Sequence, residues 1–266
     1  MRVATWNVWH RFGAEYELRY RAIKASLDEV DPDIVCLQES WTEVESGRSQ
    51  AREIGDVLGL PYAVDGFRVT HEGVTFGNAI VSAWPITRDL VHPLPPHPDY
   101  EEFRSVLGVQ LDHPRGPVQI FTAHLNFLPH QSAVRQAQVR EIASLMDQWQ
   151  YTAELAYPQV LTGDLNADPA SDEIRMLTGR ADLGVPLTLF DAWEVRGEGA
   201  GSTWSNKNPL TRASYEPDRR IDYVLARFPE KFAGRGAVES AFVFGDEPVE
   251  GSWGSDHLGV AVDLRD

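Results

Sequence analysis

The stretch Val160-Leu161-Thr162-Gly163-Asp164-Leu165-Asn166-Ala167-Asp168-Pro169 constrains this chain more than any other. An apolar run enters it, Gly163 interrupts it, and Asp164 and Asn166 stand where a buried strand would run out. Residues two apart in an extended segment project to the same face, so a carboxylate and an amide can converge on one small ligand. Asp168-Pro169 stops the strand, because proline cannot continue a ladder. Ser171 then reads as an N-cap, Asp172 and Glu173 as a first helical turn, and Gly179 as the end of that helix.

The same pattern of apolar strand and terminal polar residue recurs. Residues 2 to 9 are β-prone and too apolar for a solvent-washed edge, which predicts a buried strand ending near Asn7. Residues 33 to 39 form a nearly continuous apolar run closing on Glu39, the pattern of a central strand. Between them Tyr16, Tyr20, Ile23, Leu27 and Val30 fall at helical spacing, and Asp31-Pro32 ends that helix. A second helix is expected over 47 to 58, with Gly59 after it, and a long one over about 131 to 149. Short β-prone runs at 62–67, 74–82, 86–92, 105–111 and 118–124, separated by Gly, Pro and Asp, predict antiparallel hairpins. The Pro-rich segment 93–99 is no central strand. Residues 180–219 read as a surface excursion long enough to carry function, and 221–225, 239–244 and 258–264 as closing strands.

Composition narrows the chemistry. With 266 residues, 42% hydrophobic, and no low-complexity tract, the chain suits one large α/β domain spanning 1–266. Its net charge of −16 argues against non-specific affinity for nucleic acid or anionic lipid unless metal ions reverse the sign locally. The single cysteine, Cys36, sits in an apolar run and allows neither an internal disulfide nor a Cys-rich zinc site. No secretory leader pattern and no 18-residue apolar run are present, so a soluble, cytoplasmic monomer without a membrane span or obligate protein partner is expected.

Asn7, Glu39, His124, Asn126, Asp164, Asn166, Asp222, Asp256 and His257 all interrupt or end buried runs. A hard divalent cation takes one or two carboxylates, with waters and substrate phosphate completing its shell, and Glu39 or Asp256 could serve. Phosphoester hydrolysis needs an oriented water, neutralised phosphoryl oxygens and help for the leaving oxygen. Asp164 suits the first task, Asn7, Asn166 and His257 the second, and a metal the second and third. Asp222 could fix the tautomer of His257 by a hydrogen bond. Gly77 lets backbone approach a ligand beside Asn78, a further candidate for phosphate. Ser255-Asp256-His257 holds the residue types of a serine hydrolase, but sequence neighbours are badly placed for a relay. Arg104, just before a strand, reads as either a phosphate contact or a solvated surface group, and Trp9, Trp41, Trp204 and Trp253 as either a rim for substrate or packing beneath the loops.

Seven blocks in order, Thr5-Trp6-Asn7, Asp33 to Glu39, Gly77 to Ile80, Thr122 to Asn126, Gly163 to Asn166, Arg220 to Tyr223, and Ser255 to His257, make the chain resemble the endonuclease/exonuclease/phosphatase superfamily. That superfamily includes abasic-site endonucleases, DNase I-like nucleases, neutral sphingomyelinases, inositol polyphosphate 5-phosphatases and poly(A) deadenylases. The resemblance implies a four-layer α/β/β/α sandwich of two mainly antiparallel sheets flanked by helices. It further implies that Glu39 ligates Mg²⁺ or Mn²⁺ assisted by Asn7 and Asp256. Asp164 would orient the attacking water, Asn126 and Asn166 would contact phosphate, Asp222 and His257 would form a dyad, and His124 would support the transition state. Trp9 stands where abasic-site endonucleases carry an acidic residue, and His124 where they carry tyrosine. The function implied is a metal-dependent phosphodiesterase acting on nucleic acid, a phospholipid head group or a small phosphate ester. A phosphomonoesterase on a sugar or inositol phosphate is the alternative enzyme, and a catalytically silent scaffold on the same fold is the alternative from another class.

Overall fold

Apolar alternation within the strands sets the layers. In the computed structural model, which describes residues 1–11, 15–99, 102–149, 157–231 and 234–266, two six-stranded sheets lie face to face. The first has the order β11-β12-β1-β2-β4-β3 and the second β5-β6-β7-β8-β10-β9. Their strands are β1 (Arg2–Asn7), β2 (Ile34–Glu43), β3 (Tyr62–His71), β4 (Val74–Ser82), β5 (Ile86–Pro93), β6 (Ser105–Leu111), β7 (Val118–His124), β8 (Val160–Asp164), β9 (Phe190–Asp191), β10 (Asp222–Ala226), β11 (Val238–Phe244) and β12 (Gly259–Leu264). Each sheet has one parallel pair at its centre, β1 with β2 and β7 with β8; every other pairing is antiparallel.

Three hydrophobic cores separate four layers. Val3, Ile34, Cys36 and Ile80 face Leu107, Val109, Ile120 and Val224 between the sheets. Their neighbours Ala4, Val35, Leu37 and Val81 turn outward onto α1 (Tyr16–Val30) and α2 (Gln50–Leu58). On the far side Phe121, Ala123, Leu161 and Tyr223 pack under α3 (Ser132–Gln148) and α4 (Asp172–Leu177). Both faces of the central strands are therefore dry, which is why they read as continuous apolar runs. Cys36 is fully buried and its thiol is pushed up to about 12 by burial, so it is an inert core residue.

The sandwich expected from the motifs is the fold observed. Three local readings change. The strand expected to end at Glu39 continues to Glu43 through a register shift between Leu37 and Ser40, a bulge that holds Glu39 at φ 57°. The strand expected to end at Phe67 runs on to His71, its hairpin closed by Glu72 and Gly73, both at positive φ. The 180–219 excursion carries β9, the short helix α5 (Ala192–Arg196) and backbone pairing of Trp204 with Arg219. No helix among the described residues is long and apolar enough to cross a membrane.

Candidate active site

The parallel pairs end side by side, and their C-terminal ends carry the polar residues to one edge of the sandwich. In-register pairing sets His124 opposite Asp164 across β7 and β8, and Asp222 opposite Asp164 across β10 and β8. Gly163 makes this approach possible: at φ 129°, a Cβ there would stand 1.9 Å from the carbonyl oxygen of Ala123. These ends open into a cavity of about 490 Å³ lined by Asn7, Glu39, Arg104, His124, Asp164, Asn166, Trp204, Arg219, Asp256 and His257 among others.

Asp164 is the hub. Its Oδ2 accepts from Asn7 Nδ2 at 3.1 Å and lies 3.4 Å from His124 Nε2 and 3.6 Å from His257 Nε2. Its Oδ1 accepts the backbone N–H of Asn166 at 2.9 Å, which holds Asn166 at φ 49°. Burial pushes the Asp164 carboxyl up to about 7; His257 draws it down and Asp222 adds to the rise. A carboxylate that ionises near neutrality is suited to take a proton.

His257 and His124 are tuned in opposite directions. Burial disfavours charge on His257, but Asp222, 2.9 Å from Nδ1, and Asp164 outweigh it and raise the imidazole well above its ordinary value. His124 is held neutral by burial, with Arg104 and His257 adding like-charge repulsion. One imidazole is thus a cation with Nε2–H facing the cavity, and the other a neutral group.

The donor set beside Asp164 fits a hard cation. Glu39 and Asp256 both face the cavity, and Asp256 is pushed up to about 6 by burial and by the like charge of Glu39, against the pull of His257. Two half-buried carboxylates that repel each other are what a divalent cation relieves. Asp164, Asp222 and His257 also offer ligand atoms within 4.8 Å of one another, but His257 Nδ1 and Asp222 Oδ2 are already spent on each other in a hydrogen bond of 2.9 Å. The oxygen wall is the better site.

Not every expected residue sits as expected. Asn7 is buried, its Oδ1 accepting the Trp9 N–H at 3.0 Å and its Nδ2 bridging Glu39 and Asp164, which sets it between the two carboxylates. Asn78 gives both Nδ2 protons to the carbonyls of Ser105 and Thr122, stapling one sheet to the other, and has none for phosphate. Asn126 is fully buried, donating to Glu102 and Gln131 and accepting from Gln138, and does not line the cavity. Asn166 spends one N–H on the Leu125 carbonyl at 3.1 Å and keeps the other toward the cavity. Arg104 is only 15% exposed beside Glu102 at the cavity wall. Trp41 is core packing, whereas Trp9 and Trp204 line the cavity and Trp253 does not. Trp204 packs edge-on against His257, ring centroids 5.1 Å apart. Arg19, a polar position of α1 that no motif marks, is 3% exposed and donates to the carbonyls of Trp9, His10 and Gly254.

Residues 4–257 match the sequence profile of the endonuclease/exonuclease/phosphatase family. The chain belongs to that family. A family protein from Beutenbergia cavernae is 28% identical, with a TM-score of 0.73, over 100% of this chain and 71% of that one. D. rerio TDP2 in complex with single-strand DNA product is 20% identical, with a TM-score of 0.78, over 100% and 99% of the two chains. A family protein from Leptotrichia buccalis is 14% identical, with a TM-score of 0.73, over the whole of both chains. The last two likenesses are likenesses of fold. Among curated proteins none matches the sequence. Endonuclease/exonuclease/phosphatase proteins are phosphoester hydrolases, and that is the class of chemistry to which this site belongs.

Proposed function

We propose that the protein is a Mg²⁺- or Mn²⁺-dependent phosphodiesterase that breaks a P–O ester bond by in-line attack of water. The observation that carries this reading is the environment of Asp164: a buried carboxylate 3.4 and 3.6 Å from the Nε2 atoms of His124 and His257, joined through Asn7 Nδ2 to Glu39, in one cavity with Asp256.

In this reading Asp164 holds the attacking water and takes its proton as the oxygen bonds to phosphorus. His257, kept cationic and oriented by Asp222, offers Nε2–H to a phosphoryl oxygen, joined by the free N–H of Asn166. His124 offers a neutral N–H to the charge that develops in the transition state. Glu39 and Asp256 would hold the divalent cation, which when bound neutralises phosphoryl charge and supports the departing oxygen. Arg104 lies on the same wall, yet its partner Glu102 offsets its charge. Nucleic acid comes first among substrates because the D. rerio relative holds a single-strand DNA product, while the charge of −16 opposes tight, extended binding to a polyanion.

The test is hydrolysis, with Mg²⁺ and with EDTA, of single-stranded DNA and RNA, plasmid DNA, sphingomyelin, inositol phosphates and an aryl phosphodiester, by wild type and Asp164→Ala. Metal-dependent turnover that the substitution lowers by about 10²-fold or more is expected. Turnover of monoesters alone would replace the diester reading by a phosphomonoesterase. No turnover by a folded, metal-binding protein would leave the silent scaffold.

A further inference from the structure

Arg104 faces the cavity yet has no part in the mechanism. It stands immediately before β6 and lines both the main cavity and a recess of about 90 Å³ beside it, the two sharing Glu39, Arg104 and His124. Its charge reaches the site, since it helps to hold His124 neutral. Glu102 stands behind it. Oε1 of that carboxylate accepts Nε of Arg104 at 3.0 Å and also its Nη2, while Oε2 accepts Nδ2 of Asn126. Asn126 is itself locked, donating to Gln131 Oε1 at 3.2 Å and accepting from Gln138 Nε2 at 2.6 Å, so the carboxylate is gripped from two sides. A solvated surface ion pair has no such third anchor. The Glu102 side chain is 16% exposed and is not among the described residues that line either cavity, so a ligand meets the guanidinium with a fixed counter-charge behind it.

The charge of the ligand decides what this pairing does. A phosphodiester carries one negative charge. Its hydrolysis adds water across a P–O bond and yields an alcohol and a phosphomonoester, which loses a second proton at about pH 6 and then carries two charges. Coulomb energy scales with charge, so an unopposed guanidinium attracts the dianion about twice as strongly as the monoanion. A counter-ion held against the guanidinium removes most of that difference. Arg219, the other guanidinium among the described residues of the cavity, is opposed in the same manner, by Glu216 at 2.7 Å and Asp168 at 3.6 Å. We propose that Glu102 is a specificity-determining residue: by opposing Arg104 it sets the cavity to favour phosphodiester monoanions over phosphomonoester dianions, the reaction's own product included. This rests on the phosphoester reading and assigns its choice of diester to one pair of residues. Glu102 acts through Arg104 and not by touching the ligand.

The experiment is calorimetric binding of phenyl phosphate and diphenyl phosphate to Asp164→Asn protein in Mg²⁺, so that neither is turned over, at about pH 8, where the monoester is a dianion. Adding Glu102→Gln should tighten phenyl phosphate about tenfold and diphenyl phosphate only about threefold, as two units of ligand charge against one require. Arg104→Met leaves Glu102 unopposed and should move the ratio of the two affinities the other way, by about threefold or more. Arg104→Met together with Glu102→Gln restores the net charge of the pair and should return the ratio to that of the parent protein. The ratio is the readout, because a merely structural loss weakens both ligands alike. Comparison of Arg104→Met with the double variant isolates the charge of Glu102 even where Glu102→Gln alone does not fold. Both ligands binding in ratios that ignore the net charge of the pair would overturn the role of Glu102 and leave the phosphoester reading standing. Failure of both ligands to bind to any of these proteins would remove both.

Discussion

Nδ1 of His257 lies 2.9 Å from Oδ2 of Asp222, and both side chains are buried. The other oxygen of Asp222 has no partner among the described residues, so the carboxylate is spent on the imidazole alone. Asp222→Asn should therefore lower kcat/KM by about 10²- to 10⁴-fold, the range of general acid–base and orienting groups. Because Asp222 raises the imidazole, its removal should also shift the alkaline limb of the pH–rate profile to lower pH. An unshifted limb would take His257 out of the cationic role.

Asp164 links the site to stability. Its folded carboxyl is raised from 3.8 to about 7, so between those values the metal-free folded state binds more protons than the unfolded state. The stability it contributes is present below about 4 and is lost as the pH rises to about 7. Asp256, raised to about 6, acts in the same direction. Urea midpoints of EDTA-treated protein at pH 5 and 7.5 should fall less in Asp164→Asn than in wild type; an equal fall would locate the proton elsewhere.

Glu39→Gln keeps the bulge and its shape but removes one charge from the oxygen wall. Mn²⁺ binding, followed by calorimetry on the otherwise intact protein, should weaken about tenfold or more. Unchanged affinity would reject Glu39 as a ligand.

Arg19 holds two strained turns. Trp9 and His10 stand at φ 48° and 33°, and their carbonyls, with that of Gly254, receive the Arg19 guanidinium, whose face lies 4.5 Å from the Trp9 ring. It thereby ties the exit of β1, with Asn7, to the segment carrying Asp256. Arg19→Lys keeps the charge and loses the fork; Mn²⁺ affinity should fall in both Arg19→Lys and Arg19→Met, measured by calorimetry at a temperature where both are folded. Full rescue by lysine would mean that charge alone matters.

Asn78 gives the opposite expectation. Asn78→Leu leaves the buried carbonyls of Ser105 and Thr122 without its N–H groups, which should destabilise by about 1–3 kcal/mol in urea denaturation. A KM that rises while stability holds would instead restore its role at the phosphate.

Much of this protein is local physics. The alternation in Val3-Ala4 and Ile34-Val35-Cys36-Leu37 dictates strands buried on both faces, and the spacing of Tyr16 to Val30 dictates a helix to cover one of them. Asp164, Asp222, Glu39 and His257 were legible because each breaks an apolar run, and a buried polar group needs a reason. Sequence could not reach what depends on the partner of a side chain. Asn78 and Asn166 look alike as amides after short apolar runs, yet one faces two carbonyls and the other a cavity. Arg104 looks like surface charge until the sheet edge encloses it. The amino-acid sequence by itself determined the strands, their buried faces and the family, because periodicity and motif order are written along the chain. Only the tertiary structure decided which donors remain unspent, because a hydrogen bond is settled by residues far apart in sequence that meet at one edge of two sheets.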